Sequence, residues 1–171
     1  MRFTVLGRLR VDSEAGQIPI PAAKQRVLLA ALITRVNRAV PVDTLIEVLW
    51  AGEPPASARK ALRWHVMKLR EALGDKELLV WETDGYALRT DPGNVDCKRF
   101  EELARDANPY VDSQPVLAGR WLGEALALWH GTAFEEFDDV TELSEESRRL
   151  DELRLTVLAQ WYAVELRLGR H

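Results

Sequence analysis

The sequence predicts a mainly α protein with small β elements, arranged as two modules. Short runs of alternating apolar residues open the chain and recur near residue 80, while segments with apolar residues three and four apart fill the rest. Residues 1–90 hold 14 basic and 10 acidic residues, a balance of +4, and residues 91–171 hold 9 and 17, a balance of −8. Halves of opposite sign suit different partners, because only a positive surface is drawn to phosphates.

At 171 residues and 47% hydrophobic, the chain can bury a real core. Its opening, Met1 to Gly7, enters a strand pattern at once, so neither a signal peptide nor a membrane span is read and a cytoplasmic location is expected. The single Cys97 excludes an intrachain disulfide and reads as a half-buried spectator; His65, His130 and His171 show no metal-ligand spacing. With no nucleophile–base pair, Gly-rich phosphate loop or metal constellation, the chain is read as no enzyme, with no cofactor and no metal.

Taken in order, Phe3-Thr-Val-Leu6, Leu9-Arg-Val11 and Gln17-Ile-Pro-Ile20 alternate and predict a small antiparallel sheet with a bulge at Gly7. A first helix spans Ala23 to Val36 and stops at Asn37, a residue that tolerates the left-handed conformation. A second starts with Pro41 in its first turn and carries Leu45, Ile46, Val48, Leu49 and Trp50. The prolines of Ala51 to Ala56 break it, and Ser57 is expected to cap a third helix that Gly74 ends. On that third helix Ala58, Leu62, Val66, Leu69 and Leu73 share one face, while Lys60, Arg63, Trp64, Met67 and Lys68 point away. From Ser57 to Arg70 there are five basic residues and no acidic one. Leu78 to Trp81 and Tyr86 to Arg89 form a hairpin across Glu82-Thr-Asp-Gly85. Sheet, three helices and hairpin is the plan of a winged helix-turn-helix, whose third helix enters the major groove.

Asp91-Pro-Gly-Asn94 reads as a linker between a first domain, 1–90, and a second, 91–171. Helices are expected over Cys97–Ala107, Pro115–Trp129 and Ser144–Leu168, an all-α, tetratricopeptide-like arrangement. Trp50, Trp81, Trp121 and Trp129 read as core, and Glu135 to Asp139 as a solvated connection, with a polymerase-facing surface the minority reading.

Several runs now carry a resemblance. Arg2-Phe-x-Val-Leu-Gly7, Gln25-Arg-x-Leu-Leu-Ala30, Pro41-Val-Asp-x-Leu-Ile-x-x-Leu-Trp50, Pro54-Pro-Ala-x-Ala-Arg-x-Ala-Leu62, Leu69-Arg-x-Ala-Leu-Gly74 and Gly85-Tyr-x-Leu88 closely resemble the Streptomyces antibiotic regulatory protein family. Phe100-Glu-x-Leu-Ala104, Glu124-Ala-Leu-Ala-Leu-Trp129 and Leu150-Asp-Glu-Leu-Arg-Leu155 extend the likeness over nearly the whole chain. It implies an OmpR-type winged helix followed by a bacterial transcriptional activation domain. The implied function is activation of secondary-metabolite, or antibiotic, gene clusters by binding direct repeats in double-stranded DNA and recruiting RNA polymerase holoenzyme. No sequence resembling a phosphoacceptor receiver domain is present, so phosphorylation of this chain is not implied.

The resemblance places Lys60, Arg63, Trp64, Met67 and Lys68 at base-reading positions and His65 and Arg70 at phosphate contacts, with Ser57, Arg59, Thr83 and Arg89 completing the DNA-binding set. His65 also fits a structural hydrogen bond, because its position borders the apolar face. Trp64 and Met67 stand where smaller or polar residues are usual, and Glu82 where an arginine is common. The loop with Gly52, Glu53, Pro54 and Pro55 corresponds to a polymerase-contacting loop. A helical interaction adaptor that never binds DNA is the alternative.

The expected assembly is a monomer in solution that lines up side by side on DNA, since no zipper-like heptads occur. On the last helix, Leu150, Leu153, Val157, Trp161, Val164 and Leu168 form one stripe and Leu155, Leu158, Tyr162 and Leu166 a second. In the resembling family a further helix follows Leu168-Gly-Arg-His171, so a shortened activation domain with an uncovered second stripe is expected.

Overall fold

The computed structural model describes residues 1–169; Arg170 and His171, which end the expected second domain, lie outside the described residues. Strands β1 (Arg2–Thr4), β2 (Arg10–Ser13) and β3 (Gly16–Gln17) form the antiparallel N-terminal sheet, in which Phe3 faces Val11 and both are buried. Gly7 makes no bulge. It lies in the β1–β2 loop at φ +150°, and that loop is held from outside: the carbonyls of Val5, Leu6 and Gly7 accept from the amides of Phe134 (2.7 Å), His130 (2.8 Å) and Glu135 (3.3 Å). Local pattern cannot signal this, because the donors come from the far half of the chain.

Helices α1 (Ala23–Thr34), α2 (Val42–Trp50) and α3 (Ala58–Leu73) follow, with strand β4 (Val40–Pro41) ahead of α2. Pro41 therefore belongs to an edge strand instead of the first helical turn, a place where its missing N–H costs no ladder bond. Strands β5 (Leu79–Glu82) and β6 (Gly85–Leu88) form the expected hairpin, and β4 pairs with β6 to give the order β4-β6-β5. The turn itself is made by Thr83 and Asp84, at φ +45° and +59°, the primed geometry that suits strand twist. Ser57 makes no side-chain cap; its backbone (φ −96°, ψ 25°) departs from the extended conformation that a capping serine takes. Gly74 ends α3 at φ +70°, the left-handed C-cap its lack of a side chain allows.

Asp91–Asn94 is a tight, largely exposed turn. The Asp91 carboxylate accepts from the Gly93 amide at 2.8 Å, and Val95, fully buried, bridges to Phe3. Helices α4 (Asp96–Ala107), α5 (Pro115–Ala127) and α6 (Thr141–Arg167) come next, with α5 packed against both others. Gly119 lets α5 approach α6: an added Cβ would stand 3.0 Å from Val164 Cγ1. Cys97 is fully buried, not half-buried, and burial pushes its thiol well above the ordinary range, which makes it inert.

The acidic run is also more than a solvated connection. Glu136 accepts from the Leu9 amide at 3.1 Å and pairs with Arg26, which donates in turn to the carbonyls of Ile20 (3.1 Å) and Leu9 (2.8 Å). Phe134 and Phe137, on either side of Glu136 in the sequence, are buried. One apolar cluster consequently runs from Phe3 and Leu28 through Phe100 and Phe134 to Leu150 and Val164, so both halves share a core. On α6, Leu150, Val157 and Val164 point into it, while Leu155, Tyr162 and Leu166 are exposed and Leu158 is half-buried.

Candidate nucleic-acid interface

The amphipathic reading of α3 holds residue by residue. Ala58, Leu62, Val66, Leu69 and Leu73 are buried, and Arg59, Lys60, Arg63, Trp64 and Met67 are exposed. Trp64 at 50% and Met67 at 44% exposure are apolar groups of unusual size to leave on a solvent face among cations.

The cations divide by partner. Arg59 pairs with Asp43 at 2.6 Å and Lys68 with Glu71 at 2.9 Å, exposed pairs that contribute little to stability and are readily exchanged for another anion. Arg63 reaches only the Arg59 carbonyl, at 3.4 Å, and Lys60 makes no ion pair among the described residues. Arg70 is committed differently: its Nε donates to the Leu79 carbonyl at 2.8 Å, and its guanidinium lies 5.9 Å from the Tyr86 ring centre. It ties α3 to the hairpin, a part that the sequence did not reveal.

His65 is wedged between Trp50 and Trp64, with ring centres 6.3 and 5.1 Å away. Its Nδ1 is buried and finds no partner among the described residues. Burial first, and the nearby Lys24 charge second, hold its pKa below the ordinary histidine value, which favours the neutral imidazole. A neutral ring packed this way acts as a spacer between α2 and α3. Trp50, half-buried, forms the other side of that contact under the Lys24 ammonium, 5.5 Å from its ring.

On the hairpin, Thr83 sits exposed at the tip, and Arg89 bonds Glu82 while donating to the Asn37 carbonyl at 2.6 Å. Trp81, expected in the core, is 55% exposed. Its strand alternation does point it to the face of buried Leu79 and Tyr86, yet more than half of the indole is left to solvent. Between α2 and α3, Ala51 and Gly52 take left-handed conformations (φ +48° and +82°), and Ala51 to Ser57 are all exposed. Gly52, Glu53, Pro54 and Pro55 thus project from the body next to the N-terminus of α3.

Among the described residues no group of three or more His, Cys, Asp or Glu could hold a metal, and no helix is long and apolar enough to cross a membrane.

Comparison with known proteins agrees with this arrangement. The sequence profile of the C-terminal domain of transcriptional regulatory proteins matches residues 20–88, and that of the bacterial transcriptional activator domain matches residues 95–171. The regulatory protein DnrI of Streptomyces peucetius is 32% identical over 182 residues, covering 100% of this chain and 67% of DnrI. The regulatory protein AfsR of Streptomyces coelicolor is 34% identical over 173 residues, covering 100% of this chain and 17% of AfsR. A solved structure of Mycobacterium tuberculosis EmbR, in complex with a low-affinity phosphopeptide, superposes with a TM-score of 0.91 at 28% identity, covering 99% of this chain and 46% of that one. The chain therefore spans from about a sixth to two thirds of these proteins. A winged helix with a cationic outer face, an activator domain sharing its core and similarity to DnrI along the whole of this chain lead to one conclusion: the chain belongs to the Streptomyces antibiotic regulatory protein family of transcriptional activators.

Proposed function

We propose that this chain activates a secondary-metabolite gene cluster by binding direct repeats in double-stranded DNA near a promoter and recruiting RNA polymerase holoenzyme. The observation that carries this reading is the solvent face of α3, where Lys60, Arg63, Trp64 and Met67 stand out while the opposite face is buried. Arg63 makes the bidentate contact to guanine O6 and N7, for which its fork is suited; Lys60 and Lys68 neutralise phosphates or reach a guanine; Trp64 and Met67 meet thymine methyl groups or read shape. Ser57, Arg59, Thr83 and Arg89 line the edges of this contact, and the exposed loop at Gly52 to Pro55 is offered to polymerase.

The test is binding of promoter duplexes across a salt series. The wild type loses affinity steeply with salt; Lys68→Ala weakens binding to all sequences and flattens the slope by about one. Arg63→Ala costs about 1–3 kcal/mol, chiefly on the cognate site. Equal loss on random DNA would remove Arg63 from base reading, and no salt-dependent binding at all would leave the adaptor reading.

Assembly has its own test. Side-by-side protomers keep their α3 helices on one face when repeat centres lie about 10–11 bp apart, so inserting about 5 bp abolishes cooperativity. Cooperative binding that survives the insertion contradicts this arrangement.

A further inference from the structure

We infer that Trp81 is a second DNA-contacting residue, laying its indole on the deoxyribose–phosphate wall of the minor groove beside the site read by α3, as a non-ionic contact that replaces a cationic wing. The inference rests on the DNA-binding reading above and adds to it a residue outside the basic helix.

Placement comes first. Along β5, Leu79 and Trp81 share one face; Leu79 is fully buried, and its carbonyl takes the Arg70 hydrogen bond that fastens the strand to α3. Two residues further on along the same face, more than half of the indole meets solvent. The exposed aromatic thus projects from the wing on the side where α3 lies.

The indole is also held. It packs edge-on against Tyr86, with centres 5.0 Å apart and planes at 75°, and Tyr86 is itself buried with the Arg70 guanidinium near its ring. A ring already fixed loses little conformational freedom on binding, which is what makes rigid aromatics effective contact residues.

Charge supplies the third argument. The wing tip carries Glu82 and Asp84, the hairpin from Leu79 to Leu88 has no cation of its own, and Arg89, at its open end, is occupied by Glu82 and the Asn37 carbonyl. Phosphates gain nothing from such a tip. An indole face gains from covering the apolar edges of deoxyribose, and its Nε1–H can donate to a phosphate oxygen. Of the groups on β5 and β6, Trp81 alone combines exposure with a surface that favours the DNA backbone.

The experiment uses a duplex selected by the full chain from a random-sequence pool, with wild type, Trp81→Ala and Trp81→Phe compared by affinity, salt slope, hydroxyl-radical footprint and thermal midpoint. We expect Trp81→Ala to weaken binding about tenfold, the consequence of losing an aromatic anchor, with an unchanged salt slope and loss of sugar protection on the minor-groove flank only. Trp81→Phe keeps the edge contact with Tyr86 and retains most of the affinity and protection; it decides the matter if the alanine variant melts early. Wild-type affinity and footprint in Trp81→Ala overturn the inference, as does an equal loss in both variants or a salt slope that falls by about one. A wild type that selects no duplex overturns the DNA-binding reading itself, an outcome separate from a wild type that binds and a Trp81 variant that binds equally well.

Discussion

Gly85→Ala is expected to lower the thermal midpoint by about 6–12 °C, the equivalent of roughly 3 kcal/mol, and to loosen the wing before the rest unfolds. The cause is backbone against backbone. An added Cβ would overlap the Val40 carbonyl oxygen and stand 2.7 Å from its carbon and 3.0 Å from the Pro41 Cα. No side chain is there to turn aside, so β4 has to leave β6, breaking the Val40–Tyr86 and Pro41–Gly85 pairing. The amide of Val42, which bonds the Asp84 carbonyl at 3.2 Å, goes with it. Hydrogen exchange at Tyr86 and Val42 checks the order of events; protection equal to wild type at both would show that the strands accommodate the methyl group.

Asp96 carries the second large effect, at the joint between the halves. Its carboxylate accepts from the amides of Val5 (2.9 and 3.0 Å), Leu6 (2.9 Å) and Cys97 (2.7 Å), all in buried residues. Asp96→Ala leaves those donors without an acceptor, at about 1–3 kcal/mol for each that water cannot reach, so a loss of 3 kcal/mol or more is expected, on the order of a third of a domain's stability.

The same residue predicts a pH dependence. Burial, the leading cause, pushes its pKa from 3.8 up to about 6 against the pull of the three amides and of His130. Because the folded value is the higher one, the folded state binds the extra proton. This group's stabilising contribution is complete below pH 3.8 and is lost as pH rises through 6, a change on the order of 3 kcal/mol at about 1.4 kcal/mol per pH unit. Asp96→Asn keeps an acceptor but cannot titrate, so denaturant midpoints for wild type minus variant fall between pH 4 and pH 7. A difference that stays flat over that window would refute the shift.

Much of this architecture is legible in the residues alone. The apolar spacing of Ala58, Leu62, Val66, Leu69 and Leu73 finds the buried face of α3 because a helix with one apolar stripe has one way to face a core, and it leaves Lys60, Arg63, Trp64 and Met67 outside by the same geometry. The hairpin around Thr83 and Asp84, and α4, α5 and α6, follow from equally local signals. The resemblance to the family rests on motifs of that kind too, and the sequence and structural comparisons bear it out.

What only the tertiary structure decided is wherever the partner comes from a distant part of the chain. Asp96 looks like an ordinary first-turn acid until the amides of Val5 and Leu6 are brought to it, and Glu136 like one of five solvated residues until Arg26 and the Leu9 amide arrive. Arg70 reads as a phosphate ligand, and only the fold shows that its Nε is also taken by the Leu79 carbonyl. Trp81 follows the inward alternation of its strand and is exposed all the same, because alternation sets the direction of a side chain while its cover depends on what the tertiary fold packs against that position.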